Sequence, residues 1–215
     1  MMELFLTTFT VFFVVVDPVG LAPIFAGLTP GMSDALRARA ALKAVALSAA
    51  ILLCFVVAGD PVLAYLGVEL AAFRIAGGLL LLLLAIDMVF ARQSGLRSTT
   101  ESERHEAEYR GDISVFPLAF PLIAGPGALT TVLLVVAGRR DEPVTMAIVL
   151  AVIAIVLGMA LAALLLARPI TRMLGETGAN VVSRLLGLAL AALAVQYVID
   201  GVRVAFLGAG GASPP

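Results

Sequence analysis

The sequence predicts an all-α membrane protein: a single domain of about six spanning helices in two inverted three-helix repeats, with the first and fourth spans broken. Composition carries the first half of that reading. The 215 residues are 61% hydrophobic and only 13% charged, whereas a soluble domain carries about 25% charge. Mean hydropathy is +1.10, and the apolar runs have the length of about 20 residues that a helix needs to cross a bilayer. The second half rests on two similar stretches, Asp17-Pro18-Val19-Gly20-Leu21 and Gly125-Pro126-Gly127-Ala128-Leu129, each set inside an apolar run. Proline removes a backbone donor and glycine frees the chain. In lipid a freed backbone group costs several kcal/mol unless protein, water or a ligand satisfies it. Each stretch is therefore a tolerated kink or a break that offers backbone to a bound solute.

The elements follow in order. The first span covers residues 4–28 and contains the Asp17 break, and Thr29-Pro30-Gly31 ends it. Its start has the length of a secretory apolar region, but Glu3 replaces the basic flank and no small-residue cleavage site precedes Asp17, so it reads as a retained span. Pro23 spoils a simple helix after Asp17, and a re-entrant loop is the alternative there. Ser33 caps a helix that opens with Asp34, Arg37 and Arg39 and becomes the second span, residues 42–58. Gly59-Asp60-Pro61 is a turn signal, and residues 62–67 are too short to cross and belong at the interface.

The third span, residues 70–90, holds Gly77-Gly78. Residues 92–112 mix both charge signs and read as a solvated linker. The fourth span, residues 113–137, carries Pro117, Pro121 and Pro126. Gly138-Arg139-Arg140-Asp141 is a turn, and Pro143 suits the first position of the fifth helix, which spans residues 145–167. The sixth span covers residues 181–206, and residues 208–215 form a small-residue tail.

Basic residues set the orientation. Arg37, Arg39 and Lys43, then Arg92, Arg97, Arg104 and Arg110, then Arg168 and Arg172 fall on one side if spans alternate; Arg139, Arg140 and Arg203 fall on the other. Both termini are then outside. A repeat agrees with this. Pro126 follows Pro18 by 108 residues, and Arg184-Leu185-Leu186-Gly187 follows Arg74-Ile75-Ala76-Gly77 by 110. The two copies occupy residues 1–91 and 113–207. Three spans per copy invert the second, and inverted repeats with interrupted helices in matching places point to a secondary transporter with a midplane site.

Several classes drop out. A net charge of -1 and the absence of a basic patch with interleaved aromatics give no nucleic-acid partner. The single Cys54 allows no internal disulfide and no thiolate cluster, and His105, the only histidine, sits in the linker. No metal site and no cofactor are expected beyond a coupling proton or sodium ion. An intramembrane hydrolase needs a nucleophile and base within the spans; a Ser–His pair is absent there, and Asp17 has only Asp87 to join it. The expectation is a protein that is not an enzyme.

The four ordered motifs, Asp17–Gly20, Phe73–Gly78, Pro117–Pro121 with Ala124–Gly127, and Ser183–Gly187, together resemble the MarC family of bacterial inner-membrane proteins over nearly the whole chain. The resemblance implies six spans in two inverted halves. It also implies transport of small neutral amino acids such as glycine, alanine or threonine, as in the SnatA-type members, within a wider superfamily similar to the LysE-type exporters.

The breaks suit such a solute. Asp17 caps a helix that opens with Pro18, and Gly125 and Pro126 take the same places in the second copy. Helix N-termini offer donors to a carboxylate, and C-terminal carbonyls suit an ammonium or a sodium ion. Gly20 and Gly127 allow close approach, and Thr130 and Thr131, one turn further on, supply hydroxyls unless they bond back to their own helix. Asp17, an acid at membrane depth, is the candidate for coupling or for holding the substrate ammonium, with plain capping as the alternative. Arg74 and Arg184 are secondary candidates, with interfacial anchoring as the alternative. Gln196 is a further one, with a helix-to-helix hydrogen bond as the alternative. Asp87 and Asp200, near span ends, are expected to face water. Two other functions remain: a channel or an exporter of another metabolite, and a non-transporting assembly protein, for which small faces such as Gly158 with Ala162 suit lipid-embedded helix association and a homo-oligomer.

Overall fold

The computed structural model describes residues 1–90, 113–136, 139 and 142–207. The linker 92–112, most of the turn after the fourth span and the tail 208–215 lie outside the described residues, so the expectations placed on them have no structural counterpart here. Among the described residues all regular structure is helical.

Helix α1 (Met2–Val16) stops at Asp17, which adopts the left-handed conformation, φ 48° and ψ 69°. Aspartate is one of the few residues that visits that region without a large penalty. Helix α2 (Pro18–Leu28) restarts at once, with proline in the first position where no donor is missed. The two run as one span, Met2–Leu28, straight through Pro23. The re-entrant alternative is therefore not adopted: one left-handed residue resets the helix without turning the chain back.

Helix α3 (Asp34–Tyr65) begins as expected, with the Ser33 hydroxyl accepting from the Leu36 N–H. It then departs from expectation. Gly59-Asp60-Pro61 makes no turn, and the helix continues to Tyr65 with Pro61 inside it. Proline forfeits a single donor here, and only one further turn of helix follows it. Residues 62–65 thus extend the second helix rather than forming a separate interfacial piece. Helix α4 (Leu70–Phe90) is the third span.

The fourth span is the irregular one. Its first half, α5 (Ser114–Ile123), is no ordinary helix: Phe116 and Phe120 are extended, at φ -133° and -135°. Each precedes a proline, and the ring of the following proline drives its predecessor out of the helical region. Helix α6 (Pro126–Val136) follows at an angle of 51°. Helix α7 (Pro143–Leu165) has proline in its first turn as expected. Helix α8 (Ala167–Leu207) starts earlier than the sequence suggests and is interrupted at Gly175, φ 65°; its membrane-length part is Thr177–Phe206.

The packing partners are α4 with α8, α2 with α8 and α4 with α6, α1 with α7 and α3 with α5, α2 with α7 and α3 with α6, and α3 with α7. Glycines set the closest of these. A Cβ on Gly187 would lie 2.7 Å from the Cβ of Met88 and 3.1 Å from the Val89 nitrogen. One on Gly78 would lie 2.8 Å from the Ala194 carbonyl, and one on Gly201 3.0 Å from that of Ala71. As the position along α8 rises the partner along α4 falls, so the helices run antiparallel, with backbones nearly touching. Large apolar side chains such as Leu53, Leu83, Leu150, Leu185 and Leu188 cover the outside, while alanines and Val156, Leu164 and Leu190 fill the interior. Such an apolar exterior is a liability in water and the ordinary state of a lipid-facing surface.

Candidate functional site

The first break is a closed polar cluster. Asp17 is fully buried. Its Oδ1 accepts from the Gly20 N–H at 3.0 Å, which is the expected cap, and its Oδ2 accepts from the Ser183 hydroxyl at 2.7 Å. The second partner comes from α8, 166 positions away. At about 1.5 Å per residue, Asp17 lies about 22 Å along α1. Ser183 lies about 10 Å into the membrane-length part of α8 from the other end. Both rulers place the cluster within the hydrocarbon depth, where a carboxylate is kept only with partners. The free donors at the start of α2 add favourable potential for its charge.

The second break is apolar. One carbonyl of the half-span before it is reached from α3: the buried Ser48 hydroxyl donates to the Ala44 carbonyl at 2.9 Å and leans on the Ala119 carbonyl at 3.4 Å. Ala119 also accepts from the Ala124 N–H at 2.9 Å. In this way the carbonyl between the two extended phenylalanines stays paired in a medium that offers no water. Gly125, Pro126 and Gly127 line a cavity of about 10 Å³ together with Val15, Leu84 and Pro121, roughly the space of one water.

The two breaks meet, although not as one pocket. A Cβ on Gly127 would lie 3.1 Å from Val15, two residues before Asp17, and 2.7 Å from Leu84 of α4. Gly20 faces the other way, against Asp17 and Ser183, and neither Gly20 nor Asp17 lines the cavity. Gly125 packs on the Pro121 carbonyl, which a Cβ would overlap. Pro18 is buried in the first turn of α2.

The remaining candidates separate. Thr131 is fully buried and bonds back to the Gly127 carbonyl at 2.8 Å. Thr130 puts its methyl against Gly77 of α4. Gln196 is exposed and donates to Asp200 within its own helix at 2.9 Å, not to a neighbouring helix. Arg184 is exposed on α8 beside Ser183, whereas Arg74 lines a second, larger cavity. Asp87, expected to face water, is buried. Among the described residues no cluster of three or more metal-ligating side chains occurs.

Sequence reasoning did not single out Ser183 as a partner of Asp17. The only signal was its place at the head of the Ser183–Gly187 motif. It also missed a link at the end opposite Glu3. There Arg168 reaches Asp34 at 2.7 Å and the Met32 carbonyl at 3.3 Å. Beside it the buried Arg37 donates to Thr29 at 3.2 Å and lies over the Phe25 ring.

With five to six candidate spans and only helical regular structure among the described residues, and an apolar exterior, the chain is a polytopic integral membrane protein. Comparison with known proteins gives the family: the profile described as MarC family integral membrane protein matches residues 2–206. The chain belongs to that family. It is 36% identical to a UPF0056 membrane protein of Methanocaldococcus jannaschii over 96% of this chain and 99% of that one. It is 36% identical to the UPF0056 membrane protein YvbG of Bacillus subtilis, covering 90% and 92%, and 33% identical to YhcE of Escherichia coli, covering 91% and 90%. No solved structure matches the chain.

Proposed function

We propose that the protein is a secondary transporter of small neutral amino acids of the glycine, alanine and threonine kind, driven by a proton or sodium gradient. The observation that carries this reading is the meeting of two interrupted spans at membrane depth, where Val15 before the first break lies against Gly127 in the second. Broken helices at such a meeting supply donors and carbonyls for a zwitterion. The bulky side chains around Gly125 and Gly127, Leu80, Leu84, Leu122 and Ile123 among them, leave room only for a small side chain once the site opens.

A correspondence between the two halves supports the reading. Helices α4 and α8 hold the matching Arg74–Gly77 and Arg184–Gly187 motifs and run antiparallel. Exchanging α1 and α2 with α5 and α6, α3 with α7 and α4 with α8 maps the main packing pairs onto one another. Two such halves rock about a fixed site in alternating access. The one-water cavity and the Arg168–Asp34 link fit a conformer closed at the breaks and at that end. By the basic-residue rule that end, with Arg37, Arg39, Lys43, Arg168 and Arg172, is cytoplasmic, and the protein resides in the plasma membrane. Impermeant cysteine labelling of intact cells reads this orientation: reagent reaching Thr7→Cys from outside agrees, and labelling only in inverted vesicles reverses it.

Uptake of labelled glycine, alanine and threonine by proteoliposomes tests the function. Saturable uptake that responds to an imposed gradient is expected; no uptake above empty liposomes across the panel would remove the reading. Gly127→Ala then tests the break. Its methyl meets the flexible ends of Leu84 and Leu81 and the stiffer Val15, with no backbone in the way, so folding should cost about 1 to 2 kcal/mol. Uptake should fall severalfold at normal abundance. Unchanged rate and affinity would take the second break off the solute path. Gly20→Ala and Gly125→Ala are poorer tests, because their methyls overlap the Asp17 carboxylate and the Pro121 carbonyl.

A further inference from the structure

A second cavity, of about 640 Å³, opens at the end that holds Glu3. Its size is that of a small-molecule site, whereas the cavity at the breaks holds about one water. The ends of α1, α4, α6 and α8 build it, together with Arg139 just beyond α6. Its charged lining is Glu3, Arg74, Arg139, Asp200 and Arg203. Among the described residues no salt bridge joins any of these arginines to Glu3 or Asp200. One oxygen of Asp200 is engaged by Gln196. Both signs of charge thus face one open space without neutralising each other directly.

The placement of the arginines adds weight. The end opposite the basic loops is the one where arginines are least expected in a membrane protein. Arg74, Arg139 and Arg203 nonetheless converge on this cavity. Guanidinium groups bind a carboxylate through paired, charge-assisted hydrogen bonds, and a carboxylate facing them suits an ammonium. The cavity also lies on the line of the breaks. Thr8 on its wall is nine residues before Asp17, about 13 Å along α1, and Val135 is eight residues after Gly127.

We propose that this vestibule is a capture site for a free small zwitterion, with Arg74 and Arg203 taking the carboxylate and Glu3 or Asp200 taking the ammonium. It is distinct from the site at the breaks. The identity of the solute rests on the transport reading, but the site does not need transport to be observed.

The test uses the full-length protein in nanodiscs, with Thr7→Cys on the vestibule wall and Cys54→Ala to remove the native thiol. The rate of modification by a charged thiol reagent is measured against glycine, alanine, acetate and methylammonium. Glycine and alanine should slow labelling in a saturable way at millimolar concentration, and the two half-molecules should do so much more weakly. Arg74→Gln should raise the concentration for half-protection about tenfold or more, the loss of one charge-assisted contact. Arg203→Gln, at an exposed position, serves if Arg74→Gln lowers the folded yield. No protection by either amino acid, or equal protection in the wild type and in the arginine variant that folds, would overturn the proposal. So would protection that follows phosphatidylethanolamine in the nanodisc and ignores the amino acids, which would give the cavity to a lipid headgroup. Protection without proteoliposome uptake would keep the capture site and remove the transport reading; uptake without protection would do the reverse.

Discussion

Asp17→Asn should sharply reduce gradient-driven accumulation while leaving solute exchange and folding largely intact. The geometry makes the substitution clean. Asparagine tolerates the left-handed conformation that Asp17 adopts. Its side-chain oxygen can still accept from the Gly20 N–H, and its amide can donate to the Ser183 hydroxyl, which rotates to accept. What disappears is the charge. If Asp17 carries the coupling proton or sodium ion, accumulation against an imposed gradient should fall on the order of tenfold or more, about 1.4 kcal/mol or more of lost driving interaction. Counter-exchange of labelled for unlabelled alanine should persist. Full accumulation by the variant would leave Asp17 as a helix cap. Ser183→Ala gives the contrast: it removes a donor from a buried carboxylate and should cost about 1.5 to 3 kcal/mol of stability, read as a lower melting temperature in detergent.

Gly187→Leu should have the largest effect on the fold. The Cβ alone would sit 2.7 Å from Met88 and within 3.2 Å of backbone atoms of Val89 and Ala85. Backbone cannot rotate out of the way, so α8 must move off α4. Gly78 and Gly201 hold the same pair together in the N-terminal half of α4, opposite the end that Gly187 meets, so the strain spreads along both helices. A cost of about 3 kcal/mol or more is expected, seen as loss of folded protein in detergent. Leu188→Ala, next in sequence but 65% exposed on the lipid face, should change stability by about 0.5 kcal/mol or less. Equal behaviour of the two variants would mean that the α4–α8 contact is not as close as described.

Local chemistry was legible in the sequence, and assembly was not. Prolines and glycines inside apolar runs announced both interruptions, and Ser33 and Pro143 announced helix starts, because each effect acts within one turn of the chain. Pro61 misled for the same reason: a turn signal is a propensity, and continuation of α3 by one turn overrode it. The two breaks look alike as Asp17–Leu21 and Gly125–Leu129, yet one is a single left-handed residue and the other a 51° bend. The half-span before the second break is irregular in its own right, with Phe116 and Phe120 each forced extended by the proline that follows it. The Asp17–Ser183 bond and the vestibule join residues from opposite ends of the chain. Nothing in the local pattern of either partner encodes the other. Asp87 and Gln196 show the same limit: depth along a helix was readable, but the direction a side chain faces depended on which neighbours packed there.

Counterflow tests the central claim most directly. Proteoliposomes holding the purified protein are loaded with unlabelled alanine and diluted into a trace of labelled alanine. A carrier that exposes one site alternately to each side should concentrate label inside transiently, with an overshoot that unlabelled glycine outside reduces and that Gly127→Ala diminishes. Label that rises only to equilibrium, in proportion to concentration and without an overshoot, would describe a channel and contradict alternating access at the paired breaks.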